Sequence, residues 1–179
     1  EIELGEARDW IDRLFGEEDR RRLSALPHLV EGEMPFDRYG FSPDTGRLAF
    51  PFFLALYRAW FRVRSQGHEH LPQEGAAGLV ANHAGLLPFD GAMGVIDVLL
   101  HTNPPRLLRT MIDRWAGSLP WINVFFARVG QVVGTRENFS DLLADGQPVL
   151  VFPEGIEGIR KPVTQRYRLQ SFHVGFIEQ

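Results

Sequence analysis

The chain has no cysteine. Disulfides and thiolate metal sites are therefore excluded, although a cysteine-free sequence fixes no cellular compartment. Lysine is almost missing as well: of 19 basic residues 18 are arginine, leaving Lys161 as the single lysine. Arginine's planar fork suits phosphate and carboxylate partners. Positive charge is in short supply overall, with a net charge of −4, which argues against a nucleic-acid-binding face. Long apolar runs are missing too. The nearest candidate, LAFPFFLALYRAWF at 48–61, falls short of the roughly 20 residues a spanning helix needs and is interrupted by Arg58. The opening EIELGEARDW is acidic where a secretory signal would be basic. There is no Gly-x-Ser-x-Gly elbow to present a serine nucleophile, and neither an internal repeat nor a low-complexity tract.

What remains is an ordinary globular composition: 179 residues, 44% hydrophobic and 23% charged, enough for one sizeable core. The acidity sits in front. Residues 1–50 hold 12 acidic and 7 basic residues, against 11 and 12 in residues 51–179. From Ile2 to about Leu26 the spacing of Leu4, Ala7, Ile11, Leu14 and Phe15 predicts a helix with one apolar face. Residues 27–47, with three prolines and three glycines, read as a linking loop. In 48–64, Phe52, Phe53, Leu56, Tyr57, Trp60 and Phe61 recur at helical spacing beside Arg58, Arg62 and Arg64. That mixture suits a lipid headgroup layer as well as a helix capping the core.

From residue 62 the texture changes to short apolar runs between turns. FRVRSQGHEHL predicts a strand and a turn, AGLVAN at 77–82 a buried strand, and FDGAMGVIDVLLH a helix with Met93, Ile96, Leu99 and Leu100 inward. PRLLRTMI, GQVVGT and PVLVFPEG predict further strands. LPWINVFFARVG and NFSDLLADG predict helices, the second capped at Asn138. The alternation implies an α/β protein with a mixed, largely parallel sheet flanked by helices, an N-terminal helical extension over 1–61, and an α/β domain over 62–179. Its ligands belong beyond the carboxyl ends of the strands.

On that layout His83 lies just past one strand, Asp90 enters the first turn of the next helix, and Glu154-Gly155 follows a later strand. A histidine held by a carboxylate is a general base: the acid fixes the tautomer and stabilises the imidazolium. Asp90 stays readily ionised at a helix N-terminus. Arg136 comes off a third strand toward the same rim. Between 156 and 168, Arg160, Lys161, Arg166 and Arg168 face only Glu157, a plausible phosphate seat. Backbone amides around 83–86 or 154–158 are candidate oxyanion donors.

Three ordered segments, VANH with its downstream Asp90, GQVVGTR and VFPEG, resemble the phospholipid/glycerol acyltransferase family, also called PlsC-like or lysophospholipid acyltransferases. The approach GHEHLPQEGAAGLVANH is similar too, and the resemblance covers roughly residues 62–179. It implies acyl transfer from an acyl thioester, on coenzyme A or acyl carrier protein, to a hydroxyl of a lysophospholipid or glycerol phosphate. His83 would be the base and Asp90 its partner. Arg136 would hold the acceptor's phosphate, and Asn82, Gly85, Glu154, Gly155, Arg160 and Lys161 would shape the substrate site. The resemblance implies no metal or cofactor; the aromatic and arginine pattern of 48–64 adds the expectation of peripheral contact with the cytoplasmic face of a membrane through that segment.

Three departures stand out. Six residues rather than four separate His83 from Asp90, so AGLLPF must bulge. The third block continues Ile156-Glu157-Gly158-Ile159-Arg160-Lys161 instead of Thr-Arg-Ser, which shifts the basic role toward Arg160 or Lys161. No Val-Pro-containing fourth block follows, and SFHVGFIEQ reads as a helix, as expected of a chain truncated at its C-terminus. A membrane-surface lipid-binding module of the same fold without catalysis, or a thioesterase-like hydrolase with water as acceptor, are the alternative readings.

Overall fold

The computed structural model describes residues 15–26, 35–83, 87–165 and 168–172. Among the described residues four short strands, β1 (Ala77–Val80), β2 (Arg109–Ile112), β3 (Val132–Val133) and β4 (Pro148–Val151), form one sheet in the order β1-β4-β2-β3. Every pairing is parallel, with Leu79 opposite Leu150, Thr110 opposite Leu150 and Met111 opposite Val132. β4 reaches its central place last in sequence, and all four of its residues are buried. Parallel strands covered on both faces read as unbroken apolar runs; PVLV is such a run.

Successive side chains of a strand point to opposite faces, and this divides the core in two. Leu108 and Leu150 join the cluster that holds α3 (Phe89–His101) against the sheet, whereas Val149 and Val151 pack with Val132, Phe139 and Leu142 on the other face. Phe139 and Leu142 are one turn apart on α6 (Arg136–Ala144). α3 begins and ends where its sequence pattern places it. Gly91, Ala92, Val95 and Val98 are buried along with Met93, Ile96 and Leu99, because the helix lies between the sheet and the N-terminal helices.

Those helices share the first core. Leu23 of α1 (Glu17–Ser24) and Phe50 and Leu54 of α2 (Pro43–Ala55) pack in one cluster with Ile96 and Leu99. α1 carries Glu17, Glu18 and Asp19 in its first turn and Arg21 and Arg22 in its last, the order its dipole favours. Buried Asp19 receives both arms of Arg58, at 2.7 and 2.9 Å. This fork fixes α1 to the single π turn Leu56–Trp60 that extends α2.

Several expectations are corrected. Helix α2 starts inside the supposed 27–47 loop: Ser42 caps it by accepting from the Thr45 amide at 3.4 Å, and Pro43 occupies the first helical position, where a missing N–H costs nothing. Residues 27–34 lie outside the described residues, as do 1–14 of the first predicted helix and 173–179 of the last. The segment 62–71 forms no strand. Gly67 turns it at a φ of +83° into a single 3-10 turn, His68–His70, and hydrogen bonds among side chains anchor it there instead of a ladder. β1 is an edge strand of alternating burial, not a buried one, and Val80 is 56% exposed. The cap of α6 is Thr135, whose hydroxyl accepts from the Asn138 amide at 3.1 Å; Asn138 sits inside the first turn, its amide group donating to the Val133 carbonyl at 2.9 Å. Among the described residues no helix is long and apolar enough to cross a membrane.

Candidate active site

Where a parallel sheet ends, its strands' carboxyl ends leave a crevice. Here that crevice is a cavity of about 880 Å³, bounded by His83 beyond β1, Ile112 and Arg114 at the end of β2, Gly134 and Arg136 beyond β3, and Phe152 and Gly155 beyond β4. The volume is that of a site for a drug-sized or larger ligand. Its walls are largely apolar, with Trp115, Leu119, Ile122 and Phe126 contributed by α4 (Arg114–Ser118), α5 (Ile122–Arg128) and the turn between them.

On the rim His83 Nδ1 stands 2.7 Å from Asp90 Oδ2. The six-residue spacer thus brings the two side chains together. Nδ1 is shielded from solvent and pairs with the carboxylate at ion-pair distance, with the ring off the line of an ideal hydrogen bond. Asp90 is further fixed by the Gly91 amide, which donates to its Oδ1 at 2.8 Å. The imidazole also stacks on Phe152, centroids 4.5 Å apart at 27°. With Nδ1 turned to Asp90, Nε2 is the ring nitrogen not facing the carboxylate.

Behind this pair lies an ion pair with no exposure to solvent at its acid. Glu154 is 0% exposed; its Oε2 accepts from Lys161 Nζ at 2.5 Å and from the Gln170 amide at 3.0 Å. Burial pushes its carboxyl up, but the Lys161 hydrogen bond, the Gln170 amide and the charges of Lys161 and His83 outweigh that and hold it below the ordinary 4.5. The pair packs against the His83–Asp90 rim through Gly158 of α7 (Gly155–Ile159), where a Cβ would lie 2.8 Å from Glu154 Cβ and 3.3 Å from His83 Cβ. Neither neighbour is the flexible end of a side chain. Gly158→Ala is therefore expected to destabilise the fold by about 1–3 kcal/mol, the usual cost of overpacking, and to displace His83; denaturant titration against the wild type checks the loss.

The structure thus gathers His83, Asp90, Arg136 and Gly155 around one cavity. Glu154 and Lys161 sit behind it, with the lysine's charge directed at the glutamate rather than at the cavity. Asn82 and Arg160 are exposed and outside the cavity lining, and Gly85 lies outside the described residues. Among the lining residues that the sequence reading did not single out are Arg114, Thr110 and Gln131. Arg114 follows β2 directly, a strand-end position that the MIDRW segment does offer. It faces the same exposed Glu137 as Arg136 does; the main influence lowering that carboxyl is its own backbone amide, followed by Thr135, with both arginines adding to it. Thr110 and Gln131 were also missed. One residue back from the Met111–Val132 pair, they share a sheet face, and among the described residues Thr110 Oγ1 and Gln131 Oε1 have no protein partner. They give an otherwise apolar floor two polar atoms.

Fold and site together define an α/β domain with a parallel sheet and a His–Asp pair on a cavity beyond the strands' carboxyl ends. The family model described as Acyltransferase matches residues 62–178; the chain belongs to the acyltransferase family. Among curated proteins it is 38% identical over 153 residues to the uncharacterized protein ML2427 of Mycobacterium leprae, covering 84% of this chain and 41% of that protein. It is equally similar to the uncharacterized proteins Mb0514 of Mycobacterium bovis and Rv0502 of Mycobacterium tuberculosis, with 84% of this chain and 42% of each relative covered. The chain therefore spans about two fifths of the length of these relatives. No solved structure is significantly similar.

Proposed function

We propose that the cavity transfers a fatty acyl group from an acyl thioester, on coenzyme A or a carrier protein, to a hydroxyl of a lysophospholipid or glycerol phosphate. The observation that carries this reading is the 2.7 Å His83–Asp90 pair at the mouth of an apolar cavity. His83 Nε2 takes the proton from the acceptor hydroxyl, and that oxygen attacks the thioester carbonyl. The tetrahedral intermediate then expels the thiolate, which recovers the proton from the imidazolium. Asp90 holds the ring and offsets its transient charge. No side chain need be acylated. The apolar walls suit an acyl chain, and Arg114 and Arg136 at the rim suit a phosphate.

Arg136→Ala is expected to raise the KM for a phosphate-bearing acceptor about tenfold or more, as loss of a charged hydrogen bond would, with kcat little changed. An equal effect on phosphorylated and unphosphorylated acceptors, measured by steady-state kinetics, would contradict the phosphate role.

The membrane contact is proposed on two exposed surfaces. One is the expected 48–64 segment, with Leu48, Phe52, Trp60 and Phe61 exposed, although Arg58 turns inward to Asp19. The other is α4–α5: Trp115, Trp121, Ile122, Val124 and Phe125 are exposed, and Trp115 and Ile122 also line the cavity. Aromatic rings favour the bilayer interface, so this second surface would let a lipid acceptor pass from the membrane into the mouth. Trp121→Ala with Phe125→Ser should cut co-sedimentation with anionic vesicles several-fold. Unchanged binding, together with a loss in Phe52→Ser/Trp60→Ser, would move the contact to the first surface alone.

A further inference from the structure

We propose that Thr110 and Gln131, on the floor of the cavity, are specificity-determining residues that select an acyl chain carrying a hydroxyl group over an unsubstituted one. The inference rests on the acyl-transfer reading and names the substrate class within it. Thr110 belongs to β2 and Gln131 directly precedes β3. Each is one residue back from the paired Met111 and Val132, so the two are neighbours across the ladder and share one face of the sheet. They are 4% and 8% exposed, and both line the cavity. Among the described residues Thr110 Oγ1 and Gln131 Oε1 have no hydrogen-bond partner. Native folds pair nearly all buried polar atoms, because an unpaired one forfeits its contact with water for nothing. Two such oxygens, side by side in a cavity with largely apolar walls, point to a ligand group that serves both.

The chemistry of the two oxygens narrows that group. A glutamine oxygen only accepts, whereas a threonine hydroxyl donates as well as accepts. A ligand hydroxyl donates to Gln131 Oε1 and accepts from Thr110 Oγ1, so one group satisfies both atoms. A ketone oxygen would satisfy the threonine alone, and a methylene in the same place would leave both oxygens buried and unpaired. Discrimination of this kind is strong, since a site built to hydrogen-bond a hydroxyl penalises the analogue that lacks it.

Depth assigns the hydroxyl to the acyl chain. Thr110 lies two residues behind Ile112, the last of β2, and Gln131 two behind Val133, the last of β3, which is about 7 Å of extended backbone. Arg114 and Arg136, the proposed phosphate ligands, come after those strand ends. The acceptor's headgroup therefore stays at the rim, and the chain reaches the polar pair. The methyl of Thr110 faces the first turn of α3: a Cβ on Gly91 would lie 3.2 Å from it. Gly91 follows Asp90, so the hydroxyl belongs toward the thioester end of the chain.

The test is calorimetric titration of full-length His83→Ala, which binds the thioester without turning it over, with palmitoyl-coenzyme A and with a panel of its hydroxylated positional isomers. At least one isomer should bind about tenfold or more tighter than the unsubstituted chain. Thr110→Val/Gln131→Leu in the same background should erase that preference, with folding confirmed by far-UV circular dichroism. Should the double substitution fail to fold, either single one must reduce the preference. Equal affinity for every isomer and the unsubstituted chain would overturn the proposal, as would a preference that survives the substitutions. A loss of affinity for glycerol phosphate alone would give the polar pair to the acceptor and overturn it too. Failure of the acyl-transfer reading shows separately, as a wild type that forms no acylated lipid while the binding preference stands.

Discussion

His83→Ala should lower acyl transfer by about 10²–10⁴-fold, the usual contribution of a positioned general base, while leaving binding of the acyl thioester nearly intact. Asp90→Asn should fall in the same direction by keeping the 2.7 Å neighbour but removing the charge that stabilises the imidazolium. Because the two act as one unit, the double variant should be scarcely worse than His83→Ala. Single-turnover kinetics with a saturating acceptor check this. Additive losses, or a His83→Ala variant at wild-type speed, would refute the general-base assignment.

The second large effect concerns stability. Lys161→Ala leaves the Glu154 carboxylate without its ion-pair partner in a site that is 0% exposed. Breaking a buried pair from one side costs about 3–5 kcal/mol, a large part of a typical domain's stability. Replacing both partners together, as Glu154→Gln/Lys161→Met, should recover much of that loss. The pH dependence has a definite sign. Glu154's carboxyl is held below 4.5 in the folded chain, so its contribution is present above the unfolded value and is lost as pH falls through the folded one. Urea denaturation midpoints from pH 7 down to 3 should therefore drop for the wild type, and the Glu154→Gln variant should lack that share of the drop. A Lys161→Ala midpoint equal to that of the wild type would show that the pair carries no such load.

Much of this was legible in the sequence, for identifiable reasons. Helix α3 was recovered to the residue because its apolar periodicity is strong and turn residues bound it. β4 was visible because a central parallel strand is apolar throughout. The His83–Asp90 pairing was suggested by strand-end and helix-start positions together with the three ordered segments that resemble the acyltransferase family, and the two side chains do meet, at 2.7 Å. Other features depended on neighbours that no linear pattern displays. VRSQG looks as extended as a strand, but β1 has β4 on one side and is otherwise an edge, so the segment settles into side-chain hydrogen bonds around Asp97. A lysine in a Gly-rich loop reads as a phosphate ligand; only folding puts Glu154 within 2.5 Å of Lys161. Arg114 was passed over because the segment after β2 lacks the family-like pattern of the other three.

Mass spectrometry of the lipids formed when the full-length protein is incubated with mixed lysolipids and acyl thioesters tests the central reading most directly. The account predicts a lysolipid heavier by one acyl chain, formed in step with the free thiol released. Thiol released with no acylated lipid would make the protein a hydrolase, and neither product would make it a binding module; either result contradicts the account.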